Sequence, residues 1–160
     1  MEELKKAFEE QMYQKLLWLN QFHTQDKIDL LNALKDKFGE DVIEIIEKVE
    51  CEKAQLEWQH IASQTEDNSI EALIRLFWEP LRAKGFEYTS EIQTNGIQMR
   101  CTKCPAFELA KEINATEWLY HHTCSVDQFI ASGFNPKIGF KRTKTLMQGD
   151  DYCDHYYYIK

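Results

Sequence analysis

The chain has 160 residues, enough for one self-sufficient hydrophobic core and short for two, so a single domain over residues 1–160 is expected. Its 27 acidic against 19 basic side chains leave a net charge of -8, a surface that repels phosphate backbones and excludes nucleic acid as an expected partner. The N-terminus has no apolar signal core and no segment reaches the roughly 18 uninterrupted apolar residues of a membrane span, so a cytoplasmic protein without a membrane partner is expected.

From Glu2 to about Phe22, Leu4, Phe8, Tyr13, Leu16, Leu17 and Leu19 recur at near-helical spacing, which predicts a first helix. A second begins at Asp26 as N-cap, runs through Ile28, Leu30, Leu31 and Leu34, and ends at Gly39. A third starts at Asp41 and continues to His60 and Ile61 before the polar run Ser63 to Ser69. Asn68 with Glu71 reads as a capping box for a fourth helix, Ile70 to Lys84, closed by Gly85 and kinked or shortened by Pro80. Residues 1–84 thus read as a helical scaffold.

After Gly85 the period changes to alternation. Phe86 to Ser90 and Ile92 to Arg100 read as a hairpin around Thr94-Asn95-Gly96. Two helices follow, Pro105 to about Ile113 and Ala115 to Ser132 behind an Asn114/Glu117 capping box. A second hairpin, Ile138 to Met147 and Asp151 to Ile159, turns at Gly149-Asp150. Helices segregated from two antiparallel hairpins make an α+β fold, with one sheet and two helices between the hairpins.

Four of the five cysteines and three of the five histidines fall in the last 60 residues. In a reducing compartment such a set favours metal, redox or nucleophilic chemistry over disulfides. Cys104 precedes Pro105 and reads as an N-cap whose thiolate the helix amides stabilise, which suits a nucleophile or ligand. Cys101 and Cys104 read equally as small buried hydrophobes. On the following helix Trp118, Leu119, His122, Val126, Phe129 and Ile130 share a face with Cys124 nearly opposite, while His121, Cys124 and Asp127 form a polar stripe. His122, amid apolar neighbours, reads as a hydrogen-bonded core residue. In the last hairpin a two- or four-residue loop sets Leu146 opposite Cys153, Lys144 opposite His155 and Arg142 opposite Tyr157, all on the face of Ile138 and Phe140. Arg, Lys, Cys and His in an apolar lining suggest a bound carboxylate clamped by Arg142. A three-residue loop would dissolve that face.

Arg142-Thr-Lys-Thr145-Leu-Met-Gln-Gly149-Asp150-Asp-Tyr-Cys153-Asp154, with Cys104-Pro105 and Cys124-x-x-Asp127 upstream, resembles the L-2-amino-thiazoline-4-carboxylic acid hydrolase family over roughly Gly85 to Tyr157. The resemblance implies a cytosolic bacterial enzyme that opens a cyclic isothiourea. It also implies kinship with small α+β domains of the 4-vinyl-reductase and trafficking-particle type, which bind small molecules or assemble as dimers. Cys101 and His155 stand outside the shared pattern.

These residues lead to an expected hydrolase acting on the amidine-type carbon of a small ring bearing a carboxylate. Cys104, Cys124 and Cys153 would form the reactive centre, with Asp150 or Asp154 moving protons. Arg142, Asp127 and His155 would bind the substrate. The cofactor is expected to be either none or zinc, the latter held by Cys101, Cys104, Cys124 and Cys153. The alternative is a non-catalytic sensor or assembly domain that binds a metal or small effector. A homodimer through Trp18, Phe22, Trp58 and Trp78 is also expected.

Overall fold

The computed structural model describes the backbone of residues 2–160 and the side chains of all of these except 2, 3, 9, 13, 14 and 16–22. The chain divides into two compact units, Met1–Val42 and Ile43–Lys160. In the first, one helix, α1 (Glu2–Phe38), replaces the two predicted from sequence. His23-Thr-Gln holds no glycine or proline to break it, and Asp26 is not needed as a cap. Gln25 Nε2 instead donates to Asp29 Oδ1 at 2.8 Å across one helical turn. Gly39, at φ +80°, ends the helix as predicted.

The second unit begins within α2 (Asp41–Ser63) and continues with α3 (Ile70–Phe77) and α4 (Glu79–Ala83). The cap of α3 is Ser69 and not Asn68, because the Ser69 hydroxyl accepts from Ala72 N at 3.1 Å. Pro80 sits in the first turn of α4, where its missing N–H costs nothing, so the expected kink is a full break at Trp78. Gly85 at φ +89° then releases the chain into strand.

Strands β1 (Glu87–Gln93) and β2 (Gly96–Lys103) form the first hairpin, and Gln93 pairs with Gly96, so the turn is Thr94-Asn95. Gly96 serves the sheet instead of the turn: a Cβ there would lie 2.0 Å from the Tyr157 carbonyl oxygen on the neighbouring strand. Then come α5 (Pro105–Glu112), α6 (Thr116–Leu119), a π-turn (Tyr120–Cys124), α7 (Asp127–Phe134), β3 (Ile138–Lys141), a 3₁₀ turn (Leu146–Gln148) and β4 (Cys153–Ile159). The sheet is antiparallel in the order β1-β2-β4-β3. The fold is α+β as expected.

The second hairpin is shorter than predicted. Phe140 pairs with Tyr157, which by continuation would set Arg142 opposite His155, two residues from the expected partner. A slip of two preserves the side-chain face, and Ile138, Cys153, His155 and Tyr157 are indeed buried together. Pairing stops at Lys141 because Asp154 captures the chain. Its carboxylate accepts from Thr143 N at 2.8 Å, Thr143 Oγ1 at 2.6 Å and Lys144 N at 2.5 Å. Lys144 is consequently exposed, not on the inner face.

One face of the sheet carries the core with α2, α3 and α7. Leu73, Met99, Phe134 and Ile138 are almost fully buried, each contributing about 1.5–3 kcal/mol by burial. Gly133 lets α7 press on α2, since a Cβ there would lie 2.6 Å from the Gln55 carbonyl oxygen. Trp58 and Trp78 belong to this core at 8% and 2% exposure, so neither offers the dimer contact expected of it. The side chains of Trp18 and Phe22 lie outside the described residues. In the tyrosine run, Tyr157 points inward and Tyr156 and Tyr158 stack outside at 5.6 Å.

Candidate functional site

Strand alternation puts Cys101 of β2 and Cys153 and His155 of β4 on the covered face, with Cys101 directly opposite Cys153. Cys104 arrives as the residue before α5, Cys124 from the π-turn and Asp127 from the start of α7. With Phe77, Trp78, Leu81, Phe86, Ala106 and Thr123, these six side chains line an inner cavity of about 140 Å³. The three motifs that stood apart in sequence therefore meet on one side of the sheet.

The π-turn sets this geometry. Ser125 N donates to Tyr120 O at 3.0 Å, one residue further than in an α-helix, and the extra residue rotates the downstream side chains by about 100°. The expected single helix from Ala115 to Ser132 is thereby cut, and its capping box is absent: Asn114 takes φ +52° and Ala115 occupies the cap. The polar stripe splits accordingly. His121 turns to Glu47 on α2 (2.6 Å) and His122 to Glu50 (3.0 Å), while Cys124 and Asp127 turn to the cavity. His122 is half-buried and set against Glu50 instead of being a core histidine.

Asp127 is the hub. Its Oδ2 accepts from Arg142 Nη1 and lies 3.2 Å from His155 Nε2, and all three side chains are over nine-tenths buried. Arg142 Nη1 also donates to the Cys124 carbonyl at 3.0 Å. Burial pulls the Arg142 pKa down, but Asp127, Cys124 and Tyr120 together outweigh it and the net direction is up. A carboxylate only accepts, so the neutral tautomer that suits this neighbour carries its proton on Nε2 and leaves Nδ1 as the acceptor. That Nδ1 is buried and has no hydrogen-bond partner among the described residues. The ring is held edge-on to Trp78, centroids 4.9 Å apart, and Trp78 Nε1 donates in turn to Tyr157 Oη at 3.2 Å.

The thiols are not activated. Burial pushes Cys101 and Cys124 up to about 12 and raises Cys104 and Cys153 as well. Cys104 is the N-cap as expected, yet it makes no capping hydrogen bond, and the nearby amides of Phe107 and Ala106 offset only part of its burial. The expected thiolate at this helix start is corrected to a thiol. Cys101 Sγ donates to Lys103 O at 3.2 Å and Cys153 Sγ accepts from Leu146 N at 3.3 Å. Among the described residues no three His, Cys, Asp or Glu side chains gather as a metal-ligand group. Thiols that do not gather as a ligand group do not fit the zinc expected of Cys101, Cys104, Cys124 and Cys153.

Two further residues fall elsewhere than expected. Asp154, adjacent in strand to Cys153, points to the opposite face by alternation and holds the Thr143-Lys144 segment. Asp150 Oδ2 accepts from Thr145 N at 2.8 Å, closing the turn that ends at Gly149, φ +95°. Neither carboxylate lines the inner cavity. Arg142 lines a second space, an outer basin of about 410 Å³ bordered by Glu47, Tyr120, Cys124, Gln128, Lys141 and Lys144.

The pairing of Asp127 with His155 was invisible in sequence, since 28 positions separate them and only the π-turn aims one at the other. Glu47 and Glu50, part of an ordinary acidic helix face, gave no sign of their histidine partners. The one available signal for the cavity wall was the aromatic cluster Phe77-Trp78 at the proline break.

The family model described as L-2-amino-thiazoline-4-carboxylic acid hydrolase matches residues 20–157, most of the chain. No curated protein sequence matches it. Among solved structures, the phenol-responsive sensory domain of the transcription activator PoxR with phenol superposes with a TM-score of 0.55 at 10% identity, covering 86% of this chain and 74% of that one. At that identity the likeness is one of fold.

Proposed function

The chain belongs to the L-2-amino-thiazoline-4-carboxylic acid hydrolase family, and on that footing we propose that it hydrolyses a small cyclic isothiourea or amidine such as L-2-amino-thiazoline-4-carboxylate. The observation that carries this reading is His155, a residue of the cavity lining whose Nε2 lies 3.2 Å from Asp127 Oδ2 and whose buried Nδ1 has no hydrogen-bond partner among the described residues. A base oriented by a carboxylate, with its second nitrogen open, is the arrangement that general-base hydrolysis needs.

In this reading the ring lies against the thiols and aromatic side chains. Water adds to the carbon between nitrogen and sulfur as His155 Nδ1 takes its proton. The carbon–sulfur bond then breaks, the sulfur leaves with the electron pair, and the imidazolium returns the proton to it. One water is consumed, and the product carries a urea and a thiol. Asp127 stabilises the imidazolium, and Arg142 holds the Asp127 carboxylate in place.

A second reading, binding without turnover, draws on the raised thiols and on the sensory domain that shares the fold. Incubation of the purified chain with L-2-amino-thiazoline-4-carboxylate separates the two. Hydrolysis yields a product heavier by one water, detected by mass, and His155→Gln should slow it about 10²–10⁴-fold while thermal unfolding changes little. Saturable binding with no water adduct would leave the binding reading, and a wild-type rate in His155→Gln would remove His155 as base.

A further inference from the structure

We propose that the inner cavity and the outer basin form one bipartite site divided by Cys124, in which the cavity takes a single small ring and the basin takes its carboxylate. This rests on the substrate class proposed for the hydrolase and says how the protein would tell that substrate from uncharged rings.

Size is the first ground. An apolar cavity of about 150 Å³ holds one benzene-sized ring, so the inner space of about 140 Å³ accommodates a five-membered ring and leaves no room for a solvated carboxylate. Charge is the second. Among the described residues the cavity lining holds no lysine or arginine, and Asp127 is already paired with Arg142, so a carboxylate finds no free cation there and burying it unpaired among Phe77, Trp78 and Leu81 is costly. The carboxylate must therefore leave the cavity on a side where cations wait.

Among the described residues, Cys124 alone lines both spaces. Beyond it, Arg142, Lys141 and Lys144 border the basin against one carboxylate, Glu47. Arg142 spends Nη1 on both Asp127 and the Cys124 carbonyl, and a guanidinium has five N–H donors, so donors remain for an anion in the basin. Lys141 and Lys144 lean over Tyr158 and Tyr152 at 5.2 and 4.8 Å, contacts that a carboxylate can outcompete. In the proposed site a short carboxylate passes the Cys124 side chain, the lining the two spaces share, to reach the basin, and a larger residue there would block it.

The test compares equilibrium binding of L-2-amino-thiazoline-4-carboxylate with that of 2-amino-2-thiazoline, which lacks the carboxylate, measured by calorimetry on the full chain. The wild type should prefer the carboxylate at least about tenfold, the worth of one charge-assisted hydrogen bond. Lys141→Gln with Lys144→Gln should erode that preference and leave the neutral ring's affinity within about twofold. Cys124→Leu should abolish the preference, and if that variant fails to fold, the lysine pair decides. Equal affinity for both probes in the wild type, or a preference untouched by the lysine substitutions, overturns the bipartite site. A lysine-dependent preference without any turnover sinks the hydrolase and leaves the bipartite site standing.

Discussion

Asp127→Asn is the perturbation that reads most directly on the site. Asp127 and Arg142 side chains are 8% and 9% exposed, so solvent screens little of their interaction, and the substitution leaves a buried guanidinium without its counter-charge. Breaking such a pair costs about 3–5 kcal/mol, a large share of the roughly 5–15 kcal/mol of a typical domain. With a urea dependence of about 2 kcal/mol per molar, the unfolding midpoint should fall by about 2 M. Asparagine also offers one acceptor to two donors and turns an amide N–H₂ toward them, so the His155 tautomer is no longer fixed. Adding Arg142→Met to Asp127→Asn removes the orphaned cation and should recover most of the lost stability. The assay is urea unfolding of the four proteins of that cycle. A single-mutant cost below about 1 kcal/mol, or strict additivity in the double mutant, would show that the pair is not a buried, coupled unit.

Two predictions concern pH. Burial pushes the Asp154 carboxyl up, but the Thr143 hydroxyl and the Lys144 and Thr143 amides outweigh it and lower its pKa. Its contribution is therefore complete above the ordinary carboxylate value near ~4 and is lost as pH falls through the lower folded value; Asp154→Asn should flatten the acid limb of the unfolding profile, and an unchanged limb would contradict the loop-holding role. Burial raises Cys101 and Cys124 from 9.0 to about 12, so their contribution is present below 9 and fades as pH climbs toward 12. Chemical unfolding of Cys101→Ala and Cys124→Ala should show a shallower alkaline decline than the wild type, and parallel declines would mean that these thiols ionise as freely folded as unfolded.

The sequence was most legible where one local force dominates. Strand alternation placed Cys153 and His155 on the inner face, and a slip of two residues in the hairpin register could not undo that, because parity survives even slips. Pro105 fixed Cys104 as an N-cap, and Gly39 and Gly85 ended their helices. Legibility failed where a tertiary bond overrides a local preference. Asp154 captures the Thr143 and Lys144 amides and shortens β3, which no period in the sequence announces. The single added residue of the π-turn, at Tyr120–Cys124, splits the predicted polar stripe and turns Asp127 into the interior, away from His121. Capping boxes at Asn68 and Asn114 were plausible patterns, yet Ser69 won the first by direct hydrogen bonding and Asn114 adopted a left-handed conformation at the second.

For the hydrolysis proposed above, the raised thiols weigh against a covalent route and for a water-based one. A thiol raised to about 12 is ionised in about one molecule in 10⁵ at neutral pH, so direct attack by Cys124 would begin with a handicap of about 7 kcal/mol. Cys101, directly opposite Cys153, is pushed up to the same value, and Cys153 itself is raised by the same burial. A nearby base could remove that handicap by taking the proton, and His155, a residue of the cavity lining, has a buried Nδ1 without a hydrogen-bond partner among the described residues. The same nitrogen can take a proton from water without first creating a thiolate beside the Asp127 charge, which acts to raise both Cys124 and Cys153. Water attack thus avoids bringing a second negative charge into a low-dielectric cavity that already holds one, and it casts the cysteines as a neutral, polarisable wall for a sulfur-containing ring.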